Sequence, residues 1–205
     1  MHTVVNHPVV AHKLSYLRDK ETSFHVFRDI TAEITSLLAY EALKNIDTKH
    51  FKVSTPLTDV DTLRIQRDIL IVPILRAGLG MLDGLIKMIP LAHVGLLGYY
   101  RDHDSKQAVK YYSNIPKLNN PYVIILDPML ATGGSILSAI EFLRYEGHHD
   151  INVISIISAP EGIYAVEHAY PEVPIITAAV DERLDEHKYI IPGLGDAGDR
   201  MFGTL

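Results

Sequence analysis

Residues 122–143 contain a pattern of residue types that indicates ligand chemistry directly. An apolar run predicts a buried strand ending at Asp127, and Pro128 keeps that strand from passing straight into a helix. The sequence ATGGS at 131–135 then leads into an amphipathic stretch. Its glycines allow backbone N–H groups to approach a ligand, and the N-terminus of the following helix adds unpaired donors and the positive end of the helix dipole. These features predict an anion-binding loop at 131–135, here called the ATGGS loop.

The anion expected in the ATGGS loop is a monophosphate. The loop lacks the Gly-Lys-Ser/Thr ending with which a Walker A loop holds the outer phosphates of a nucleoside triphosphate. The hydroxyls of Thr132 and Ser135 could hold a terminal monophosphate instead. Either hydroxyl alone is more typical of a structural N-cap. The combination with an acidic residue and paired glycines favours phosphate binding.

A second glycine-containing stretch, GLGDAGDR at 193–200, satisfies the pattern G-x-G-x-x-G of dinucleotide-binding folds. That pattern requires a following helix and an acidic residue ~20 positions further along the chain. Only seven residues follow Gly198 in this 205-residue sequence. Dinucleotide binding is therefore not expected, and these glycines require another explanation.

The elements that must position these motifs are typical of an α/β protein. After residue 68, short apolar runs alternate with amphipathic stretches, which predicts buried parallel strands separated by helices. The predicted strands are 69–75, 94–100, 123–126, 153–157 and 174–180. The expected fold is a doubly wound, five-stranded parallel sheet with ligands beyond the carboxyl ends of its strands. We expect a single domain, 1–205, with a core at about 68–181 and a hood of about 1–67 and 182–205 packed over one end of the sheet.

Composition disfavours several other functions. Without cysteine, the chain has no disulfide framework, zinc–thiolate site or cysteine nucleophile. Its formal net charge is −6 with dispersed charges, so nucleic-acid binding is not expected. The longest apolar stretch is interrupted, and the N-terminus lacks a secretory pattern, which predicts no membrane association and a cytoplasmic location. The adjacent His148 and His149 are expected in a solvated loop rather than in a metal site.

Three stretches resemble the type I phosphoribosyltransferase family, and within it the members that act on uracil. They are VPILRAGLGM at 72–81, DPMLATGGS at 127–135 and YIIPGLGDAGDR at 189–200. The resemblance extends from about residue 22 to the end of the chain. It implies transfer of the 5-phosphoribosyl group of 5-phosphoribosyl 1-diphosphate (PRPP) to N1 of uracil. The products are UMP and diphosphate, as in pyrimidine salvage.

By this resemblance, PRPP binds along the carboxyl edge of the sheet. The ATGGS loop holds the 5-phosphate, and Asp127 binds the ribose hydroxyls, where most type I members have two adjacent acids. Arg76 and Arg101 bind the diphosphate, and Arg101 does so from a polar segment, 101–112, that is long enough to close as a flap. The implied PRPP-binding residues are Arg76, Arg101, Asp127, Pro128, Met129, Leu130, Ala131, Thr132, Gly133, Gly134, Ser135 and Asp196.

The same resemblance assigns the last motif to the base. Uracil presents an acceptor, a donor and an acceptor along O2, N3–H and O4, and backbone groups close to glycine can complement them. The implied uracil-binding residues are Ile190, Gly195, Asp196 and Ala197. Cytosine would leave buried groups unpaired, at a cost of ~1–3 kcal/mol each.

Catalysis is then expected to rest on positioning and on charge stabilisation of the departing diphosphate. The residues implied as catalytic are Arg76, Arg101, Asp127 and Asp196, although none stands out as a general base at N1. Mg²⁺ is the implied cofactor. Because it keeps water ligands and binds mainly to substrate oxygens, no ligand set of protein side chains is expected for it.

Two alternatives stay open from the sequence alone. One is a regulatory protein that keeps the fold but binds a nucleotide or RNA, which the acidic charge balance disfavours. The other is the same chemistry on a different base, which the segment 189–200 disfavours. The resemblance also implies a homodimer or higher homo-oligomer and makes GTP a candidate effector.

Overall fold

The computed structural model describes residues 1–101 and 108–204, and within these ranges its centre is a nine-stranded sheet. The strands are β1 (His2–Val4), β2 (Thr48–Ser54), β3 (Asp59–Ile65), β4 (Ile69–Leu75), β5 (His93–Val94), β6 (Leu96–Arg101), β7 (Ala108–Asn114), β8 (Tyr122–Leu126), β9 (Met129–Leu130), β10 (Ile151–Ser158), β11 (Ile175–Val180), β12 (Arg183–Leu184) and β13 (Ile190–Ile191). The central order is β1-β11-β10-β8-β4-β6-β7, and the short β5 and β9 pair with β4 and β10. Every pairing in this sheet is parallel except that of β6 with β7.

Helices cover both faces of this sheet. They are α1 (Pro8–Arg18), α2 (Phe24–Ala42), α3 (Leu79–Met88), α4 (Gly134–Tyr145), α5 (Pro160–Ala169) and α6 (Ala197–Phe202). One apolar cluster joins α1, α2, α3 and α6 to alternate strand residues such as Ile71, Ile124 and Ile154. A second cluster joins α4 and α5 to the intervening residues, such as Val72, Ile125 and Val153. The predicted doubly wound α/β fold is confirmed.

The sheet is wider than predicted. All five predicted parallel strands are present, although the predicted strand 94–100 is divided at Gly95, whose N–H donates to the Ile71 carbonyl at 2.9 Å. The additional parallel strand β1 pairs with β11 at one edge, and the antiparallel β7 lies at the other. Residues 108–112 of the predicted flap thus belong to β7, and residues 102–107 lie outside the described residues.

The predicted hood differs from the structure in its placement. Helices α1 and α2 cover a face of the sheet rather than one end, because α3 alone leaves much of the apolar surface of β10 and β11 without cover. Strand β1 joins the sheet, since the outer edge of β11 offers unpaired backbone groups to it. Strands β2 and β3 form a separate antiparallel hairpin with exposed apolar residues such as Leu57 and Leu63.

Two other expectations can be compared with the structure. His148 is buried rather than solvated, because the turn after α4 folds back and its N–H donates to the Leu143 carbonyl at 2.9 Å. Burial lowers the pKa of its imidazole. None of the helices in the described ranges is long and apolar enough to cross a membrane.

Candidate active site

The carboxyl ends of β4 and β8 bring two predicted site residues to one edge of the sheet. The strands are in register with Pro73 opposite Leu126, so that Arg76 and Asp127 follow neighbouring strand ends. The turn after β4 approaches β8 very closely: a Cβ at Gly78 would lie 2.4 Å from the Leu126 carbonyl oxygen. Only glycine allows this approach, which holds Arg76 beside the end of β8.

The ATGGS loop lies on the same edge and surrounds a small cavity. Asp127, residues 129–130 and residues 131–136 line a space of about 80 Å³. Gly133 has φ +84°, and a Cβ there would meet the Gly162 carbonyl oxygen at 3.3 Å. Gly162 itself packs against the Ala131 carbonyl, so α5 supports the loop from behind.

The N-terminus of α4 faces this cavity. Gly133 is its cap residue, and in the described part of the chain no side chain caps the first turn. The Gly134 N–H has a long contact of 3.5 Å with the Thr132 hydroxyl. The first backbone N–H groups of α4 are therefore available to an anion, and the helix dipole favours negative charge at that point.

Asp127 is the acidic residue of this edge, and its environment disfavours its charge. Burial raises the pKa of Asp127 to about 7, and the Met129 N–H, which donates to its Oδ1 at 3.4 Å, opposes that rise. A carboxyl group with this pKa can change its charge when a ligand binds. Hydrogen-bond donors of the ligand favour its ionised form, which accepts those hydrogen bonds.

Arg76 connects this edge to the C-terminal segment. Its Nη2 donates to Asp199 Oδ1 at 3.1 Å, while more than half of its side chain is exposed. Hydrogen bonding from Thr204 and the nearby Arg76 guanidinium lower the pKa of Asp199. A Cβ at Gly198 would lie 3.2 Å from Asp196 Oδ1 and 3.7 Å from Arg76 Nη2, so the side chains of the predicted Arg76 and Asp196 both lie close to Gly198.

Residues 190–197, here called the C-terminal turn, run from β13 into α6. The Ile191–Pro192 peptide bond is cis, and Gly193 and Gly195 have φ +64° and +78°. Asp196 is the N-cap of α6, and its Oδ1 accepts from the Asp199 N–H at 2.9 Å. The predicted uracil-binding residues Ile190, Gly195, Asp196 and Ala197 thus belong to one folded turn.

Arg101 is the predicted site residue that cannot be placed in this way. It ends β6, but its side chain lies outside the described residues. Three residues that contact Arg76 or the C-terminal turn were not predicted from the sequence. Asp199 had a local signal, the spacing Asp196-x-x-Asp199 across an N-cap, whereas Arg18 and Asp181 are 163 positions apart and carried none.

The described residues contain no cluster of three or more His, Asp or Glu side chains suited to a metal ion. Asp127 is an isolated carboxyl group beside the cavity. This donor set fits a magnesium ion held mainly through substrate oxygens and water, and it does not fit an ion held by a cage of protein ligands.

The sheet order, with a glycine-containing loop at its carboxyl edge, defines the class: a type I phosphoribosyltransferase fold. The family model described as uracil phosphoribosyltransferase matches residues 4–204, and the chain belongs to that family. It is 52% identical over 203 residues to the uracil phosphoribosyltransferase of Dictyoglomus thermophilum, covering 98% of each chain. It is 48% identical to that of Paracoccus denitrificans, covering 98% of this chain and 97% of the other.

Two solved structures have a similar fold. A protein of Aquifex aeolicus superposes with a TM-score of 0.94 at 39% identity, over 98% of each chain. A purine phosphoribosyltransferase of Pyrococcus horikoshii superposes with a TM-score of 0.51 at 14% identity, over 77% of this chain and 84% of the other, and shares the fold. The resemblance inferred from the three stretches is confirmed.

Proposed function

We propose that the chain transfers the 5-phosphoribosyl group of PRPP to N1 of uracil and releases UMP and diphosphate. The observation that carries this proposal is the meeting of the ATGGS loop, Asp127 and Arg76 at one sheet edge, in a chain of the uracil phosphoribosyltransferase family. A phosphate site, a ribose acceptor and a cation for the leaving group are the three parts that PRPP requires.

PRPP is proposed to bind from the ATGGS loop toward Arg76. The first N–H groups of α4 and the hydroxyls of Thr132 and Ser135 bind the 5-phosphate. Asp127 accepts hydrogen bonds from the ribose hydroxyls, and residues 128–130 carry the chain from that carboxyl to the loop. Arg76, half exposed and bound to Asp199 through one nitrogen, has further donors for the diphosphate, and Arg101 is proposed to join it there.

Uracil is proposed to bind against the C-terminal turn. Gly193 and Gly195 have positive φ and bend the chain between Ile190 and Ala197. In the proposed complex, N–H donors and a carbonyl acceptor of this turn match O2, O4 and N3–H of the base. Ile190, Gly195, Asp196 and Ala197 supply this surface. Asp196 lies near Arg76, so the same turn brings the base toward the ribose carbon that it attacks.

The chemistry requires little of the protein beyond positioning and charge. Uracil N1 attacks C1 of the ribose and loses its proton, while the bond from C1 to the diphosphate oxygen breaks and the configuration at C1 inverts. The diphosphate leaves with the electron pair of that bond, and the N1 proton goes to the diphosphate or to water. The cationic character at C1 and the negative charge on the departing diphosphate both increase in the transition state. Arg76 stabilises the leaving group, and Asp127 fixes the ribose. Mg²⁺, when bound with PRPP, supplies further neutralisation of the diphosphate charge.

The test is product formation by the purified chain. We expect UMP and diphosphate from uracil, PRPP and Mg²⁺, and no nucleotide when cytosine, hypoxanthine or adenine replaces uracil. Omitting Mg²⁺ should reduce the rate strongly. Failure to form UMP between pH 6 and 9, with a family member as positive control, would disprove the proposal.

Two further expectations accompany this function, a homo-oligomer and a cytoplasmic location, and GTP is a candidate effector. The β2–β3 hairpin supports the first, because it exposes Leu57, Leu63 and Ile65 to solvent in the isolated chain. Light scattering of the purified protein tests the oligomer. Repeating the UMP assay with and without GTP tests the effector.

A further inference from the structure

We propose that the ion pair between Arg18 and Asp181 positions uracil. The pair does so by fixing the backbone of Gly193 in the C-terminal turn. The inference rests on the proposed function, since it assigns the affinity for uracil to a pair of residues that lie outside the contact surface. Neither residue belongs to the three stretches that carry the family resemblance.

The pair holds both polar backbone groups of Gly193. Arg18 Nη2 donates to Asp181 Oδ1 at 2.5 Å, and its Nη1 donates to Asp181 Oδ2 at 2.9 Å. The same Nη1 donates to the Gly193 carbonyl at 2.8 Å, while the Gly193 N–H donates to Asp181 Oδ2 at 2.8 Å. Three groups thus form a closed network in which the glycine can move only if a charged hydrogen bond breaks.

Burial makes this network strong. The Asp181 side chain is 4% exposed, so each lost partner would leave a buried carboxylate oxygen without its hydrogen bond. Asp181 is itself fixed, because it follows β11 and its N–H donates to the Ser158 carbonyl at 2.9 Å. The Asp181 carboxylate therefore fixes the turn at Gly193 relative to the end of β11.

Gly193 in turn controls the residues on both sides of it. With φ +64°, it folds the chain so that a Cβ at this position would lie 2.0 Å from the Ile190 carbonyl oxygen. Ile190 precedes it and Gly195 follows it, and both are proposed uracil contacts. A shift of Gly193 would displace both contacts, and misplacement of a substrate by about 1 Å can cost roughly 100-fold in rate.

A second arginine keeps the rest of the turn in place when the pair is removed. Arg200 donates to the Leu194 carbonyl at 2.8 Å, to the Asp19 carbonyl at 2.5 Å and to the Leu17 carbonyl, and it lies over the Phe27 ring at 4.5 Å. Gly193 and its neighbour Leu194 are thus anchored by separate arginines. Loss of the Arg18 contact should therefore alter the geometry at Gly193 without unfolding α6.

Two variants and one matched control test the inference. Arg18→Lys keeps a charge for Asp181 but loses the fork that reaches Gly193. The double variant Arg18→Met/Asp181→Asn removes the ion pair without leaving a buried charge alone. Arg67→Met is the control: this side chain donates to Asp150 at 2.5 Å and to the carbonyls of Asn120 and Pro121, at the opposite edge of the sheet.

The readout is the KM for uracil compared with the KM for PRPP, together with the melting temperature. We expect the KM for uracil to rise roughly tenfold in the double variant and less in Arg18→Lys, with the KM for PRPP within about twofold of wild type. Arg67→Met should lower the melting temperature and leave both KM values unchanged. This pattern would support a positioning role, because general destabilisation does not separate the two substrates.

Other results would contradict the inference. If both Arg18 variants change the two KM values equally, or no more than Arg67→Met does, the pair is only structural. If the wild-type chain forms UMP but the uracil KM does not move, the inference fails and the proposed function stands. If the wild-type chain forms no UMP, both fail together.

Discussion

The ATGGS loop and the C-terminal turn both depend on glycines with positive φ, but they are held by different means. The ATGGS loop connects β9 to α4 and packs against the backbone of α5 at Gly162. The C-terminal turn lies between a two-residue strand and a six-residue helix, and the charged side chains of Arg18 and Asp181 bind its backbone at Gly193. Backbone packing therefore supports the first region, and a network of charged side chains supports the second. Substitutions should consequently affect PRPP in one region and uracil in the other.

Arg76→Ala should have the largest effect, because Arg76 lies where the two regions meet. Removing one preorganised charge-stabilising donor costs about 10²–10³ in kcat, and here it also removes the partner of Asp199. Steady-state kinetics with both substrates would measure it. Arg76→Lys should recover only part of the rate, since a lysine has no planar fork.

Arg144→Ala is the matched control for that experiment. Arg144 pairs with Glu172 and lies over Tyr170 at 4.7 Å, at the C-terminal end of α4 and away from the ATGGS loop. Its kcat should stay within about twofold of wild type. A comparable loss of rate in both variants would contradict a specific role for Arg76.

Gly193→Ala should have the next largest effect and should act on uracil. The left-handed φ costs an alanine ~1–2 kcal/mol, and the new Cβ would also collide with the Ile190 carbonyl oxygen. We expect kcat/KM for uracil to fall by roughly tenfold or more, with PRPP affinity retained. Equal weakening of both substrates would show that the C-terminal turn and the ATGGS loop are not separate units.

Gly133→Ala should show the converse preference with a smaller effect. Its φ is +84°, and the added Cβ would meet Gly162 and Ala165 at 3.3 and 3.4 Å, which small shifts can accommodate. We expect a cost of ~1–2 kcal/mol in the free energy of unfolding and a weaker affinity for PRPP, with the KM for uracil unchanged. Urea unfolding and PRPP titration would measure these two changes.

Gly147→Ala is the control for backbone strain in Gly133→Ala, because it introduces the same left-handed strain outside the ATGGS loop. Gly147 has φ +91°, and a Cβ added there would have no atom of the described residues within 4 Å, so an alanine meets the same left-handed penalty in open space. It should lose a similar free energy of unfolding and keep normal kinetics. If Gly147→Ala also weakened PRPP binding, the effect of Gly133→Ala could not be assigned to the loop.

The two regions also differ in how far the sequence predicted them. Strands such as 69–75 and 153–157 were identified because both faces of the sheet are covered, which produces unbroken apolar runs. The ATGGS loop was predictable for a related reason: strand, acid, glycines and helix follow each other directly. Where the determinants are contiguous, a single sequence is enough to place them.

The remaining features had no contiguous determinant. Strand β1 has only three residues, all exposed, and forms because β11 has a free edge. The hairpin of β2 and β3 has no buried face, so its sequence shows no clear period of two. The contacts of Arg18 with Asp181 and Gly193 depend on the packing of α1 against the end of β11. Residue patterns in a single sequence do not predict contacts between such distant positions.

The last expected effect concerns the acids of the two regions, Asp127 beside the ATGGS loop and Asp181 beside the C-terminal turn. Asp181 is buried against a guanidinium, whereas Asp127 forms no ion pair within residues 1–101 and 108–204. Because burial raises the pKa of Asp127 to about 7 from an ordinary 3.8, the folded state binds more protons than the unfolded state between those values. The contribution of Asp127 to the stability of the free protein should therefore decrease as the pH rises from about 4 to about 7 and should not change further above that range.

Asp127→Asn removes this titration and so isolates it. The stability of the variant relative to wild type should increase from pH 5 to pH 8 by about 1–2 kcal/mol, once solvent screening of the partly buried carboxyl is included. Urea unfolding of both proteins at the two pH values measures the difference. A constant difference would mean that Asp127 is ionised throughout. In that case Asp127 would be charged in the free protein, before any ligand binds.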